Sequence, residues 1–399
     1  MRVLFADKLP DRARVRLISR AFEVRSEPKL EGDSLAERLR EWDPHVVVVR
    51  STKITAAHAA AGRGLQLVVR AGAGTDTIDV GACSSRAILV ANCPGKNAVA
   101  VAELTFGLLL AIDRRIPDNV ADLRAGRWAK AKYSVASGLR TRTLGILGLG
   151  SIGAEVAQRA KAFGMNVVAW SRSLTDEKAA ALGVSRRDDP VQVAREADVL
   201  TVHVDGKAKG LVGEAVLAAL KPGAIVLNTT RAGVVDEAAL LAAIESKGLR
   251  VGLDVFAGEP SGGEGTFDHV LAKHPNVVGT HHIGASTDEA QEAVGDETCR
   301  IIEQFAATGR LDRANAVNQS EKTAATHRLD VRHLDRVGVL AGVFGCLREA
   351  SLNVQNMENV VFPDGAAIAR IQVASEPSTD TLARLNTLEH VLHVSSVAL

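Results

Sequence analysis

Cysteine is scarce and scattered, four in 399 residues at Cys83, Cys93, Cys299 and Cys346, with no Cys-x-x-Cys pair and no Cys/His spacing of the kind zinc requires. A reducing, cytoplasmic setting and no structural metal are therefore expected. Neither sign of charge is in excess: 48 Lys+Arg stand against 47 Asp+Glu, which removes the electrostatic case for nucleic acid or a membrane surface as partner. Long apolar runs are missing too. The greasiest stretch, residues 98–112, is interrupted by Glu103, and the opening MRVLFADKLP reads as a short strand ending in charge rather than a signal peptide. Any anionic ligand must be held by local charges.

What is present is alternation. The β-rich runs VLFAD, VVVVRS, LQLVVRAG and AILVAN are each followed by a helix or turn, the pattern of parallel α/β layers. After a long apolar helical stretch, AVAVAELTFGLLLAIDRRI, a second series begins: TLGILGLG, MNVVAWS, ADVLTVHV, GAIVLNTT, RVGLDVF and NVVGTHH. Six such strands with crossovers are what a doubly wound dinucleotide-binding sheet needs. A long amphipathic segment, TDEAQEAVGDETCRIIEQFAATG, follows, and then the polar GRLDRANAVNQSEKTAAT, read as a linker. From His327 the texture is strand, helix, strand, Pro-Asp-Gly turn, strand, helix, strand, a βαββαβ unit of ferredoxin-like type. The expected fold is α/β, with two doubly wound parallel-sheet domains and a small C-terminal α+β module.

Gly148, Gly150 and Gly153 form a G-x-G-x-x-G turn with Ser151 and Ile152, placed between the strand TLGIL and the helix AEVAQRAKAF. The first glycine permits the turn, the second lets backbone approach a pyrophosphate, and the third allows close helix-strand packing. An NAD site normally ends its next strand in Asp or Glu. Here NVVAW ends in Ser171-Arg172, and an arginine can pair a phosphate, so NADP and NAD both stay open. Arg231, Asp254, Glu259 and the pair His281/His282 fall at or just after later strands of the same series, so parallel topology converges them on one crevice. Together they offer an anion clamp, an acid/base and its orienting partner. In the first series Arg50 and Arg70 also follow strands, and Arg70 leads into Ala71-Gly72-Ala73-Gly74, whose N–H groups can form an anion nest. Two arginines at equivalent strand ends suggest a substrate with more than one negative charge.

The ordered segments VVVRSTKIT, RAGAGTDTIDV, NCPGKNAVAVAE, GILGLGSIG, LNTTRAGVVDEAAL, GLDVFAGEP and HHIGAST resemble the D-isomer-specific 2-hydroxyacid dehydrogenases, most closely the phosphoglycerate dehydrogenase branch. The resemblance implies a flavodoxin-like substrate-binding domain from 1–97 plus 284–318, a Rossmann dinucleotide-binding domain at 98–283, and an ACT-like regulatory domain at 325–399. It implies His282 as acid/base, Glu259 as its partner and Arg231 as carboxylate ligand. Arg50, Ser51, Arg70, Gly72, Ala73 and Gly74 would bind substrate. Beyond the glycine turn, Ser171, Arg172, His203, Thr230, Arg231, Asp254, His282 and Gly284 would contact the cofactor, NAD by family default or NADP. Lys130 or Lys132 would reach a neighbouring subunit of a homodimer or homotetramer. His333, Asp335 and Asn353 would bind an amino-acid effector.

The chain departs from the family pattern in places. His281 stands where proline is frequent, Ser171 where an acid is, and the usual His-x-Pro turn reads His203-Val204-Asp205-Gly206. In the C-terminal module, Asp335 and Val337 replace a common asparagine and proline. The implied reaction is oxidation of 3-phospho-D-glycerate to 3-phosphohydroxypyruvate, the entry to serine biosynthesis. Its rivals are a glyoxylate or hydroxypyruvate reductase of the same family and a non-catalytic, dinucleotide-sensing corepressor.

Overall fold

The computed structural model describes residues 1–260, 264–319 and 323–399. The chain divides into two compact units, 1–318 and 319–399.

The first unit holds two parallel sheets. Strands β1 (Arg2–Phe5), β2 (Glu23–Ser26), β3 (Val46–Val49), β4 (Leu67–Arg70) and β5 (Leu89–Asn92) lie in the order β2-β1-β3-β4-β5. All four valines of β3 are buried, because helices cover both faces, and that is why the strand is a continuous β-branched run rather than an alternating one. Strand β2, EVRS, has no apolar run and went unread in the sequence. It sits at the sheet edge, where only Val24 is partly buried.

The second sheet comprises β6 (Thr143–Leu147), β7 (Asn166–Trp170), β8 (Ser185–Arg186), β9 (Val199–Val202), β10 (Ile225–Asn228), β11 (Arg250–Leu253) and β12 (Val277–Gly279). Their order is β12-β11-β10-β9-β6-β7-β8. The six expected strands are there, with the two-residue β8 added at an exposed edge. The chain runs outward from β6 to β8 and then returns to β9, so β6 and β9 flank the switch point where open α/β sheets bind ligands.

Helix Ala98–Asp113 is apolar around most of its circumference because it is enclosed. Its Phe106, Leu109 and Ile112 enter the core under β6, β9 and β10. Helix Asp288–Thr308, capped by the Thr287 hydroxyl, sends Cys299, Ile302 and Phe305 into the core of the first sheet instead. Part of the expected linker is ordered structure. Ala316 bridges Ala91 antiparallel, Val317 N–H donates to Val90, and the Asn318 side chain accepts from Val90 N–H and donates to Ile88. This return was hidden because asparagine side chains, not an apolar period, make many of its bonds.

The second unit is an antiparallel sheet of β13 (His327–Leu334), β14 (Val354–Val361), β15 (Ala366–Val373) and β16 (Val391–Ala398), ordered β14-β15-β13-β16. Helices Val339–Glu349 and Thr379–Asn386 cross over it, and Leu329, Val331, Val343, Ile371 and Leu385 fill its core. The βαββαβ order and the strand arrangement are ferredoxin-like, as read from the sequence. Among the described residues no helix is long and apolar enough to cross a membrane.

Candidate active site

A cleft of about 760 Å³ opens at the C-terminal ends of both sheets. Its floor is the glycine turn after β6. A Cβ at Gly148 would collide with the His203 carbonyl, and one at Gly153 with the Gly148 carbonyl, so both are packing glycines that do not line the cleft. Gly150 has nothing within 4 Å of the corresponding point; it lines the cleft with Ser151 and Ile152 at the start of helix Ser151–Ala162. Open space above unpaired N–H groups at the positive end of a helix is what a pyrophosphate requires.

Three guanidiniums converge on the other side. Burial pushes the Arg70 pKa down, and the charges of Arg231 and Arg50 push it further. Arg70 Nε is also buried with no hydrogen-bond partner among the described residues. Mutual repulsion of this kind is relieved by an anion. The glycines of the nest are needed for the approach, since a Cβ at Gly72 would run into the Arg70 guanidinium and one at Gly74 into that of Arg231. Ala73 lines the cleft between them.

The loop carrying Arg50 is held by Asp7, at the end of β1. Its carboxylate accepts from the N–H of Arg50 (2.6 Å), Ser51 (3.0 Å) and Thr52 (2.9 Å), and from the Ser51 hydroxyl (2.9 Å). Burial would raise the Asp7 pKa, but these bonds outweigh it and hold the group ionised. Ser51 thus lines the cleft with its hydroxyl proton given to Asp7. Asp7 was missed, although it closes the strand VLFAD as Arg50 and Arg70 close theirs. Arg231 donates from Nε to Asp76 (2.9 Å) and from Nη1 to the Thr230 carbonyl (2.9 Å). Buried Asn228 fixes that turn, accepting from Thr230 N–H and hydroxyl and donating to the Arg231 carbonyl.

The two adjacent histidines, His281 and His282, are set apart by the turn that carries them. Asp254, 1 % exposed, accepts from Ile283 N–H (2.8 Å), Gly284 N–H (2.8 Å) and the Thr280 hydroxyl (2.7 Å). These bonds fold the turn after β12 and place His282 in the left-handed region at φ 54°. His282 Nδ1 lies 2.8 Å from Glu259 Oε2, while Glu259 Oε1 accepts from Phe256 N–H (2.6 Å). The Glu259 hydrogen bond raises the His282 pKa above its ordinary value, against burial and the Arg231 charge. Burial pushes Glu259 upward, but the His282 and Phe256 bonds prevail and lower it. His282 lines the cleft; His281 does not.

Other expected contacts look different in three dimensions. His203 lines the cleft but is buried and neutral, its pKa pushed down to about 3 by burial, with Nε2 2.9 Å from the Thr201 hydroxyl. Ser171 borders a separate hollow of about 200 Å³ with Leu149, Ser173 and Lys178. Arg172 is not a free cation: it pairs with Asp205 at 2.9 Å. Lys132 binds Asp122 (2.9 Å) within its own chain. His333, expected at an effector site, is 1 % exposed, with Nδ1 on the Leu334 carbonyl and Nε2 on Asn359. It is spent on internal bonds, because its position on β13 faces the core, whereas Asp335 and Asn353 are exposed.

Residues 106–284 match the family described as D-isomer specific 2-hydroxyacid dehydrogenase, NAD binding domain. The chain is 38% identical over 299 residues to the D-3-phosphoglycerate dehydrogenase of Methanocaldococcus jannaschii, covering 74% of this chain and 55% of that protein. It spans little more than half the length of several curated relatives it matches. Among solved structures, an NADPH-dependent glyoxylate/hydroxypyruvate reductase from Sinorhizobium meliloti, in complex with citrate, superposes with TM-score 0.68 at 30% identity, covering 79% of this chain and 97% of that one. An NAD+-bound 3-phosphoglycerate dehydrogenase from Entamoeba histolytica superposes with TM-score 0.66 at 26% identity, covering 80% and 99%. With the glycine turn, the Glu259–His282 pair and the arginine cluster in one cleft, these likenesses mean that the chain belongs to the D-isomer-specific 2-hydroxyacid dehydrogenase family.

Proposed function

We propose that the protein is an NAD(P)-dependent dehydrogenase that oxidises 3-phospho-D-glycerate to 3-phosphohydroxypyruvate, the first committed step toward serine. The observation that carries this reading is the convergence of Arg50, Arg70 and Arg231 on a cleft that also holds a carboxylate-paired histidine. A small monoanion such as glyoxylate needs one of these cations; a substrate with a carboxylate and a phosphate uses all three.

The residues fit a dinucleotide: Gly150 leaves room for its phosphates, and the start of helix Ser151–Ala162 faces them. When bound, the nicotinamide supplies the hydride acceptor, and the protein supplies orientation and proton handling. His282, bonded to Glu259 through Nδ1, retains Nε2 to take the proton from the C2 hydroxyl. Glu259 stabilises the imidazolium that results. Arg231 holds the substrate carboxylate and stabilises charge developing on the C2 oxygen. Arg50, Arg70 and the Gly72–Gly74 turn hold the phosphate. We read 319–399 as an ACT-like module in a homo-oligomer, with exposed Asp335 and Asn353, rather than buried His333, available to an effector.

A turnover assay tests the reading, with 3-phospho-D-glycerate run as a hydride donor to NAD+ or NADP+, and glyoxylate and hydroxypyruvate run as hydride acceptors from NADH or NADPH. Phosphoglycerate should be oxidised with the highest kcat/KM. Preference for glyoxylate would make the protein a small-acid reductase, and dinucleotide binding without turnover would make it a sensor.

A further inference from the structure

We propose that Asp205 supplies the carboxylate that selects NAD over NADP, a role Ser171 cannot fill at the end of the second strand; the inference rests on the dehydrogenase reading above. In this sheet β7 and β9 lie on either side of β6, whose end carries the glycine turn. Arg172 follows β7 and Asp205 follows β9, so their 2.9 Å ion pair joins the two strand ends that flank the phosphate-binding turn. Asp205 lines the same cleft as Gly150, Ser151 and Ile152.

The two partners are not equally constrained. Asp205 Oδ1 accepts from the Lys207 N–H at 2.9 Å, which anchors the carboxylate in its own turn whether or not Arg172 is present. Gly206, next in the chain, packs against Arg231, since a Cβ there would lie 3.1 Å from Arg231 Cγ. Arg172 has only its long side chain to place it, and that side chain is 77% exposed. An ion pair this open contributes little to stability. Selection therefore comes from the anchored negative charge.

A ribose 2′-hydroxyl donates a hydrogen bond to that carboxylate. A 2′-phosphate, carrying close to two negative charges, meets a fixed anion of the same sign and a cation already neutralised by it. The departure from the usual His-x-Pro turn thus acquires a purpose: where proline is frequent, the chain has a charge. The arginine after β7, which in isolation favours a phosphate, is masked by its partner.

The test is direct dinucleotide binding to the intact protein, followed by nicotinamide fluorescence, with turnover measured separately. Wild type should bind NADH more tightly than NADPH. In Asp205→Asn, NADH should weaken and NADPH tighten, each by about tenfold, the worth of one charge-assisted hydrogen bond. Asp205→Glu should retain NADH preference, and Asp205→Asn with Arg172→Ala should lose the NADPH binding gained. A wild type that prefers NADPH, or a preference that does not respond to Asp205→Asn, would overturn the proposal while leaving the dehydrogenase reading intact. Binding of neither dinucleotide would overturn both.

Discussion

Replacing Glu259 with Gln tests the acid/base assignment at its most exposed joint. The substitution keeps the size of the side chain and an acceptor oxygen for Phe256 N–H, but removes the charge that His282 faces at 2.8 Å. A hydrogen bond to a charged group is worth about 1.5–3 kcal/mol. The His282 and Glu259 side chains are 50% and 30% exposed, so solvent screening brings the value to about 1–2 kcal/mol. If that interaction strengthens as the imidazolium forms, kcat/KM for oxidation falls about fivefold to thirtyfold. Oxidation needs neutral His282, so its rate rises with pH through a pKa that Glu259 raises above 6.5. In Glu259→Gln the acid limb should move to lower pH, because the hydrogen bond and charge that raise the histidine most are removed, while burial and Arg231, which lower it, remain against Asp254 alone. Reduction, which needs the protonated ring, should lose its alkaline limb at lower pH. The linked stability has a window. The lowered Glu259 contributes above its ordinary pKa and loses this as pH falls through the folded value. The raised His282 contributes below its ordinary pKa and loses this as pH rises through the folded value. Initial rates across pH, with denaturant midpoints at each pH, measure both. An acid limb that stays in place or moves upward would refute the pairing.

Three further substitutions probe the remaining parts. His282→Gln should reduce kcat by about 10²–10⁴, with dinucleotide binding by fluorescence unchanged, whereas His281→Gln should alter kcat little; the reverse would reassign the base. Arg70→Ala should raise KM for phosphoglycerate by about tenfold to a hundredfold, well beyond its effect on glyoxylate, and equal losses in steady-state assays would argue against a phosphate contact. Asp254→Asn puts an amide donor against the Ile283 or Gly284 N–H in a buried site, so a denaturant titration should show about 1–3 kcal/mol of lost stability together with reduced kcat; an unaltered midpoint would mean the turn is held by other bonds.

Much of the architecture follows from local pattern. VVVV reads as a strand of a parallel α/β layer, and it is one, buried along its whole length. G-x-G-x-x-G between TLGIL and AEVAQRAKAF reads as a phosphate turn, and its first and third glycines prove to be where a Cβ cannot fit. The strands missed, EVRS and SR, are edge strands, where neither apolar period nor β-branching is demanded. Residues 309–318 look like a linker by composition yet return to β5, because side-chain amides can satisfy a backbone as well as a ladder can.

The candidate site divides in the same way. The parallel-sheet rule takes Arg231, Glu259 and His282 to one crevice of the second sheet and puts Arg50 and Arg70 at strand ends of the first, operating on local sequence alone; that the two sets of strand ends share one cleft is tertiary. Which charge meets which does not follow from it. Asp7 beneath the Arg50 loop, Asp76 on Arg231 and Asp205 on Arg172 are pairings across strands or between sheets. His333 likewise is a plausible ligand on paper and a core side chain in space. Periodicity encodes where strands begin and end and which faces are apolar, and so determines the fold and the list of polar groups at the crevice. Lateral strand order and side-chain reach join residues distant in the chain, and these tertiary terms alone decided which cations remain free for an anion and which are already answered.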